Sequence, residues 1–158
     1  MTTSHFAADR FLTIEQSARL IGGFCWLERH AFEILGRWST LESNDGAAVA
    51  FSSASLRHGG HSDLWAERLP SARGFDPGEL VAAPSVRALD VVGVLQGLDQ
   101  PDATAERLEA WYGQVLPALI DAYALLLREV SPVAEAPMRR ALTVALDDDR
   151  RELEEGLV

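Results

Sequence analysis

His58 and His61 stand three residues apart in the stretch Phe51 to Leu69, FSSASLRHGGHSDLWAERL. On a helical repeat Phe51, Ala54, His58, His61 and Trp65 share one face, so both imidazoles point the same way between apolar neighbours. That arrangement fits two chemistries. Inward histidines can exchange protons as general base and acid. With a carboxylate beside them they can bind a divalent transition metal, since imidazole suits iron, copper or zinc. Trp65, one turn beyond His61, is placed to line a small-molecule pocket.

Two carboxylates fall on apolar stripes elsewhere. Glu28 lies between Ile21 and Leu35, on the stripe Ile14, Ala18, Ile21, Phe24/Cys25, Phe32 and Leu35. Asp149 lies on the stripe Met138, Leu142, Ala145/Leu146 and Leu153. A buried carboxylate is costly unless it is paired or metal-bound, so each calls for a partner. Each also has a plainer reading. Arg29, His30, Glu33 and Arg37 place solvated positions beside Glu28. Asp149 belongs to the run Asp147 to Glu152, which reads as a solvated helix end with intrahelical ion pairs. The histidines read equally as structural groups or as part of a dimer face. Tyr112 and Tyr123 read as core tyrosines whose hydroxyls reach polar groups, with Tyr112 counted among the candidate catalytic residues.

The elements that must position these groups are helices. Thr13 and Gln16 form a capping box that opens a helix running to about Ser43. Ser43-Asn44-Asp45-Gly46 is a turn, and Asn44 or Asp45 caps a second helix from about Gly46 to Leu69. Residues 70–84 read as loop, and Pro84 opens a short helix with Val86, Leu89, Val92 and Leu95 on its apolar side. A third long helix runs from Asp102 or Thr104 to about Val130, with a kink expected at Pro117. Its stripe is Leu108, Tyr112, Val115, Leu119, Tyr123 and Leu126. A fourth runs from Pro137 to about Glu155. The reading is all-α: a flexible arm over residues 1–12, then one domain over 13–158 made of two helical hairpins joined by a long crossover. At about 1.5 Å rise per residue, Glu28, His58 and His61 lie at one height above the first turn. Asp149 lies at a similar height above the turn near Pro132, with Glu152 and Tyr112 close by.

Composition narrows the partners. Of 158 residues 47% are apolar, which suits one domain with a substantial core. The formal charge is −10 and every basic residue is arginine. Lysine Schiff-base chemistry and a P-loop lysine are excluded, and nucleic-acid binding is disfavoured. Cys25 stands alone, so no intrachain disulfide forms, and it reads as a small buried hydrophobe. No apolar run reaches the roughly 20 residues of a membrane span, and MTTSHFAADR lacks a signal-peptide layout. A cytoplasmic protein without nucleic-acid or membrane partners is expected.

GGFCWLERHAFEILGRW and HGGHSDLWAERLP, with the helix lengths and the long crossover, resemble small ferritin-like four-helix-bundle proteins of actinobacterial type. The resemblance covers about residues 13–156. It implies a Glu-x-x-His on helices two and four and a Glu on helices one and three. Glu28 matches the first of these and His61 the helix-two histidine. His58 stands where that motif has Glu, helix four offers Asp149-x-x-Glu152 without histidine, and helix three has no matching carboxylate. The usual di-iron centre and an iron-storage role are therefore not expected. Three functions follow. The first is metal-free acid–base catalysis (cyclisation, isomerisation or elimination) on a small apolar or mixed-polarity substrate by His58, His61, Glu28 and Tyr112. The second is a non-haem oxidase or oxygenase with one iron or manganese on Glu28, His58, His61 and optionally Asp149. The third is a non-catalytic binding module, with a homodimer formed through amphipathic helices.

Overall fold

Thr13 opens the first helix, α1 (Ile14–Leu41), as its sequence predicts. The Thr13 hydroxyl accepts the Gln16 N–H at 3.2 Å and the Gln16 side chain accepts the Thr13 N–H at 2.9 Å. Asn44 caps the second helix, α2 (Asp45–Ala66), by accepting the Ala47 N–H. These features belong to a computed structural model that describes residues 12–156. The arm expected over residues 1–12 lies outside the described residues except for Leu12, which packs on the core.

The crossover carries two short helices, α3 (Pro77–Leu80) and α4 (Val86–Gln96), where the sequence predicts one. Ser85, rather than Pro84, caps α4. The third long helix is continuous from Thr104 to Glu129 but changes type. It comprises α5 (Thr104–Leu108), a π-helical segment (Glu109–Val115) and α6 (Leu116–Glu129). Pro117 explains the change. It has no N–H to give and its ring crowds the carbonyl four residues back, on Gly113. The chain widens by one residue instead, and the Leu116 N–H bonds the Trp111 carbonyl five residues back. Trp111, Tyr112 and Leu116 are consequently all buried, a phase the expected stripe through Val115 does not have. The last helix is α7 (Ala136–Gly156).

Contacts fix the helix directions. Cys25 meets Ser62, the Phe32 carbonyl meets Ser55, and Gly36 meets Ser55, so α1 and α2 are antiparallel. Arg139 bonds the Leu127 and Val130 carbonyls while Trp111 bonds Glu152, so the third long helix and α7 are antiparallel. Arg57 with Glu152 and His61 with Asp148 set α2 antiparallel to α7. The chain order is therefore two antiparallel pairs, with the second and third long helices running the same way. A long crossover is what such parallel neighbours require. All described regular structure is helical.

Two glycines and one ion pair fasten that crossover to α1. A Cβ on Gly22 would lie 2.0 Å from the Leu80 carbonyl oxygen, and one on Gly23 would lie 3.1 Å from Pro84. Arg107 and Glu42 pair at 2.5 Å with both side chains fully buried. Arg107 also donates to the carbonyls of Leu98 and Gln100, and the Thr104 hydroxyl donates to Glu42.

The helix Thr104–Glu129 has the length and composition of a membrane-spanning segment, which the sequence reading did not find anywhere in the chain. Its apolar window is 28% buried, and Trp111 and Tyr123 turn inward and bond buried acids of other helices. Part of the expected stripes is solvent-facing. Ile14 and Phe32 on α1, and Val86 and Leu89 on α4, are exposed.

Candidate metal centre

The core is two apolar clusters with a polar layer between them. One contains Phe24, Cys25, Trp65, Tyr123, Leu142 and Leu146; the other contains Leu35, Trp38, Phe51, Trp111 and Leu116. Along α1, Glu28 falls between Cys25 and Leu35. Along α2, His58 and His61 fall between Phe51 and Trp65, and along α7 Asp149 follows Leu146. Each helix thus brings its polar side chain to the junction. Glu28, His58 and Asp149 are wholly buried and His61 and Glu152 nearly so. The solvated readings of Glu28 and Asp149 are corrected by this burial.

Glu28 is the hub. Its Oε2 lies 2.5 Å from His58 Nδ1, its Oε1 accepts the Tyr123 hydroxyl, and that same oxygen lies 3.6 Å from His61 Nδ1. Trp65 Nε1 donates to the Tyr123 hydroxyl oxygen at 3.1 Å, and Phe24 stacks on Trp65. The other nitrogen of His58 faces Glu152 Oε2 at 3.4 Å without hydrogen-bond geometry. Glu152 is held by Trp111 Nε1 and by Arg57, each at 2.8 Å. His61 Nε2 lies 3.3 Å from the half-buried Asp148, and its Nδ1 lies 3.5 Å from Asp149 Oδ1.

The electrostatics follow from this geometry. Burial alone would raise Glu28, but the facing His58 and then His61 draw it down to about 2. Burial alone would lower His58, yet Glu28 and Glu152 hold it well above its ordinary value of 6.5. Burial opposes protonation of His61 as well, and Glu28 followed by Asp149 raises it. Asp149 has the opposite balance: burial and the neighbouring Glu28 charge lift it to about 7 against the pull of the two histidines.

Four buried atoms of this layer have no hydrogen-bond partner: His58 Nε2, His61 Nδ1 and both carboxylate oxygens of Asp149. Such atoms cost about 1–3 kcal/mol each when left unpaired, and more for a charged group. Glu28, His58 and His61 each offer a ligand atom within 4.8 Å of the others. Two imidazoles and one carboxylate are a donor set that fits a divalent transition metal. The set could hold one ion, and Asp149 adds a second negative charge beside it.

The chain matches no known protein family, no curated protein and no solved structure.

Glu28, His58, His61 and Asp149 are brought together as the helix depths predict. Glu152, expected nearby, is a member through His58. Tyr112 is not the tyrosine at Glu28. It is buried against Gly156 in the second apolar cluster, and Tyr123 takes the contact with Glu28. Helical side chains lean toward the N-terminus of their helix, which carries the Tyr123 hydroxyl about one turn toward the polar layer. Depth counted from Cα positions misses that reach. Arg57 and Trp111 are the other partners the sequence reading passed over. An unpaired carboxylate at Glu152 was the available signal for Arg57.

Proposed function

We propose that the chain is a non-haem metalloprotein that holds one Fe(II) or Mn(II) ion on Glu28, His58 and His61. The observation that carries this reading is the convergence of those three ligand atoms within 4.8 Å at a buried point bordered by unpartnered nitrogen and carboxylate atoms. Two histidines and one carboxylate with open positions are the donor set of mononuclear non-haem iron sites. The ferritin-like reading draws support from the two antiparallel pairs and the parallel second and third long helices, with ligands contributed at mid-helix height.

Bound there, the ion supplies Lewis acidity and one-electron chemistry toward dioxygen or a substrate oxygen. The residues around it have separable tasks. Tyr123, anchored by Trp65, fixes one oxygen of Glu28. Glu152, fixed by Arg57 and Trp111, orients His58 from the far side. Asp148 reaches His61 from the half-exposed rim and offers a path for a proton. Asp149 balances the ion's charge. The activity we assign is oxidase or oxygenase chemistry on a small molecule.

Metal-free acid–base catalysis by His58, His61 and Glu28 is the second reading. The near-neutral Asp149 favours it, since a group titrating near 7 suits a general acid or base. It ranks below the metal because the ligand atoms of Glu28, His58 and His61 converge within 4.8 Å at one buried point.

The test is elemental analysis of protein purified without a histidine tag, beside a His58→Ala/His61→Ala variant. About one equivalent of iron or manganese, absent from a variant that keeps its helix content, is the expected result. Protein that takes up neither metal after anaerobic addition at pH 8 overturns the reading and leaves acid–base catalysis first.

A further inference from the structure

Among the described residues Arg29, like Arg73 and Arg87, has no ion-pair partner, in a chain of net charge −10. It is exposed on α1, and among the described residues no hydrogen bond or ion pair engages it. It borders an open surface groove of about 430 Å³, five of whose eight lining residues are exposed. Ala66, Leu69 and Pro70 at the end of α2, with Pro77 and Val81 at the two ends of α3, make the apolar walls. Ser71 and Gly78 complete the lining, and Arg29 is its only charged member. Glu67, Asp76 and Glu79, the acids adjoining those walls in sequence, do not line it, although Asp76 Oδ1 accepts the Gly78 N–H at its edge.

Close packing of the crossover on α1 borders the groove. Gly22 lies two helical turns before Arg29 and so on the same face of α1. The missing side chain at Gly22 admits the Leu80 carbonyl, and that at Gly23 admits Pro84. The crossover is thereby pinned to the face that carries Arg29. Helix α3, capped by Asp76 through the Gly78 N–H, buries none of its own residues. The volume lies within the roughly 300–1,000 Å³ of small-molecule sites.

We propose that this groove binds a small organic monocarboxylate with an apolar body, its carboxylate held by Arg29. A guanidinium presents paired N–H donors that match the two oxygens of a carboxylate. The apolar walls take the body of the ligand, and the absence of an acid in the lining rejects amines. The site is independent of the metal centre, and neither proposal needs the other.

The probes are phenylacetate and 4-methylpentanoate, titrated calorimetrically into the full chain beside neutral phenylacetamide and cationic phenethylamine. Saturable one-site binding of a carboxylate is expected, with the amide at least tenfold weaker and the amine silent. Arg29→Gln, at an exposed helical position that leaves the fold intact, should weaken the carboxylate tenfold or more. Ala66→Trp should fill the groove and remove binding while far-UV circular dichroism stays unchanged. Should Ala66→Trp fail to fold, Arg29→Gln decides alone. Absence of binding by both carboxylates at millimolar concentration overturns the proposal, as does equal binding of the amide or an unaltered Arg29→Gln.

Discussion

His58 Nδ1 lies 2.5 Å from Glu28 Oε2, with both side chains fully shielded from solvent. Neither group would be stable there alone. Burial penalises the charge on each, and only the facing charge reverses the outcome. Glu28→Gln should therefore destabilise the protein by about 3–5 kcal/mol, as expected when one partner of a buried pair is removed. Urea unfolding of the two proteins at pH 7 measures it. A loss below about 1 kcal/mol would show that the pair carries little.

The same pair sets the acid limb of stability. Glu28 has its folded pKa depressed from 4.5 to about 2, so the unfolded chain takes up the proton first as pH falls. Its contribution is complete above about pH 4.5 and is lost as pH drops toward 2. His58 acts on the other side. Its folded pKa is raised, so its contribution is complete below 6.5 and fades as pH rises through the elevated value. Unfolding midpoints of wild type and Glu28→Gln across pH 2–9 should converge in acid. Parallel curves would contradict the assignment.

The ion proposed on Glu28, His58 and His61 would compete with protons for the same nitrogens. His58 and His61 both hold their protons above the ordinary histidine pKa, so ion binding must displace them. Affinity for Mn(II) should rise with pH from 6 to 8, with proton release visible in buffers of different ionisation enthalpy. A pH-independent affinity would place the ion elsewhere.

Asp149 should show a trade between stability and binding. Its pKa is raised from 3.8 to about 7, so in the metal-free protein stability falls as pH climbs through that window. Asp149→Asn removes an ionised, unpartnered carboxylate and should stabilise the metal-free chain at pH 8 by about 1–3 kcal/mol. It should weaken metal binding tenfold or more. Thermal melts at pH 5 and pH 8, with and without Mn(II), separate the two effects.

Gly60 and Gly22 should respond oppositely to alanine. Gly60 has open space around its Cβ position, so Gly60→Ala should add up to about 1 kcal/mol of helix stability. Gly22→Ala drives a methyl onto the Leu80 carbonyl and should destabilise the crossover by about 2 kcal/mol. Denaturation midpoints give the sign of each.

The helices were legible because their signals are local. Thr13 with Gln16, Asn44 and the apolar stripes mark ends and inward faces without reference to the rest of the chain. The inward turn of His58 and His61 follows from a repeat of 3.6 residues, and the shared depth of Glu28 and Asp149 follows from counting outward from two turns. What distance along the chain cannot supply is which neighbour a buried group meets. Asp149 looks like part of a solvated acidic run until α2 and α7 pack side by side and shut out water. Tyr123 replaces Tyr112 at Glu28 because the side chain leans along its helix and because Pro117 forces a π turn that shifts the phase before it. Arg57 finds Glu152 across a helix interface. The sequence by itself determined the four long helices, the caps at Thr13 and Asn44 and the shared inward face of His58 and His61, since these rest on periodicity and short-range bonds. Only the tertiary structure decided the pairing among them, because burial and charge partnership are properties of packed helices and not of any one of them.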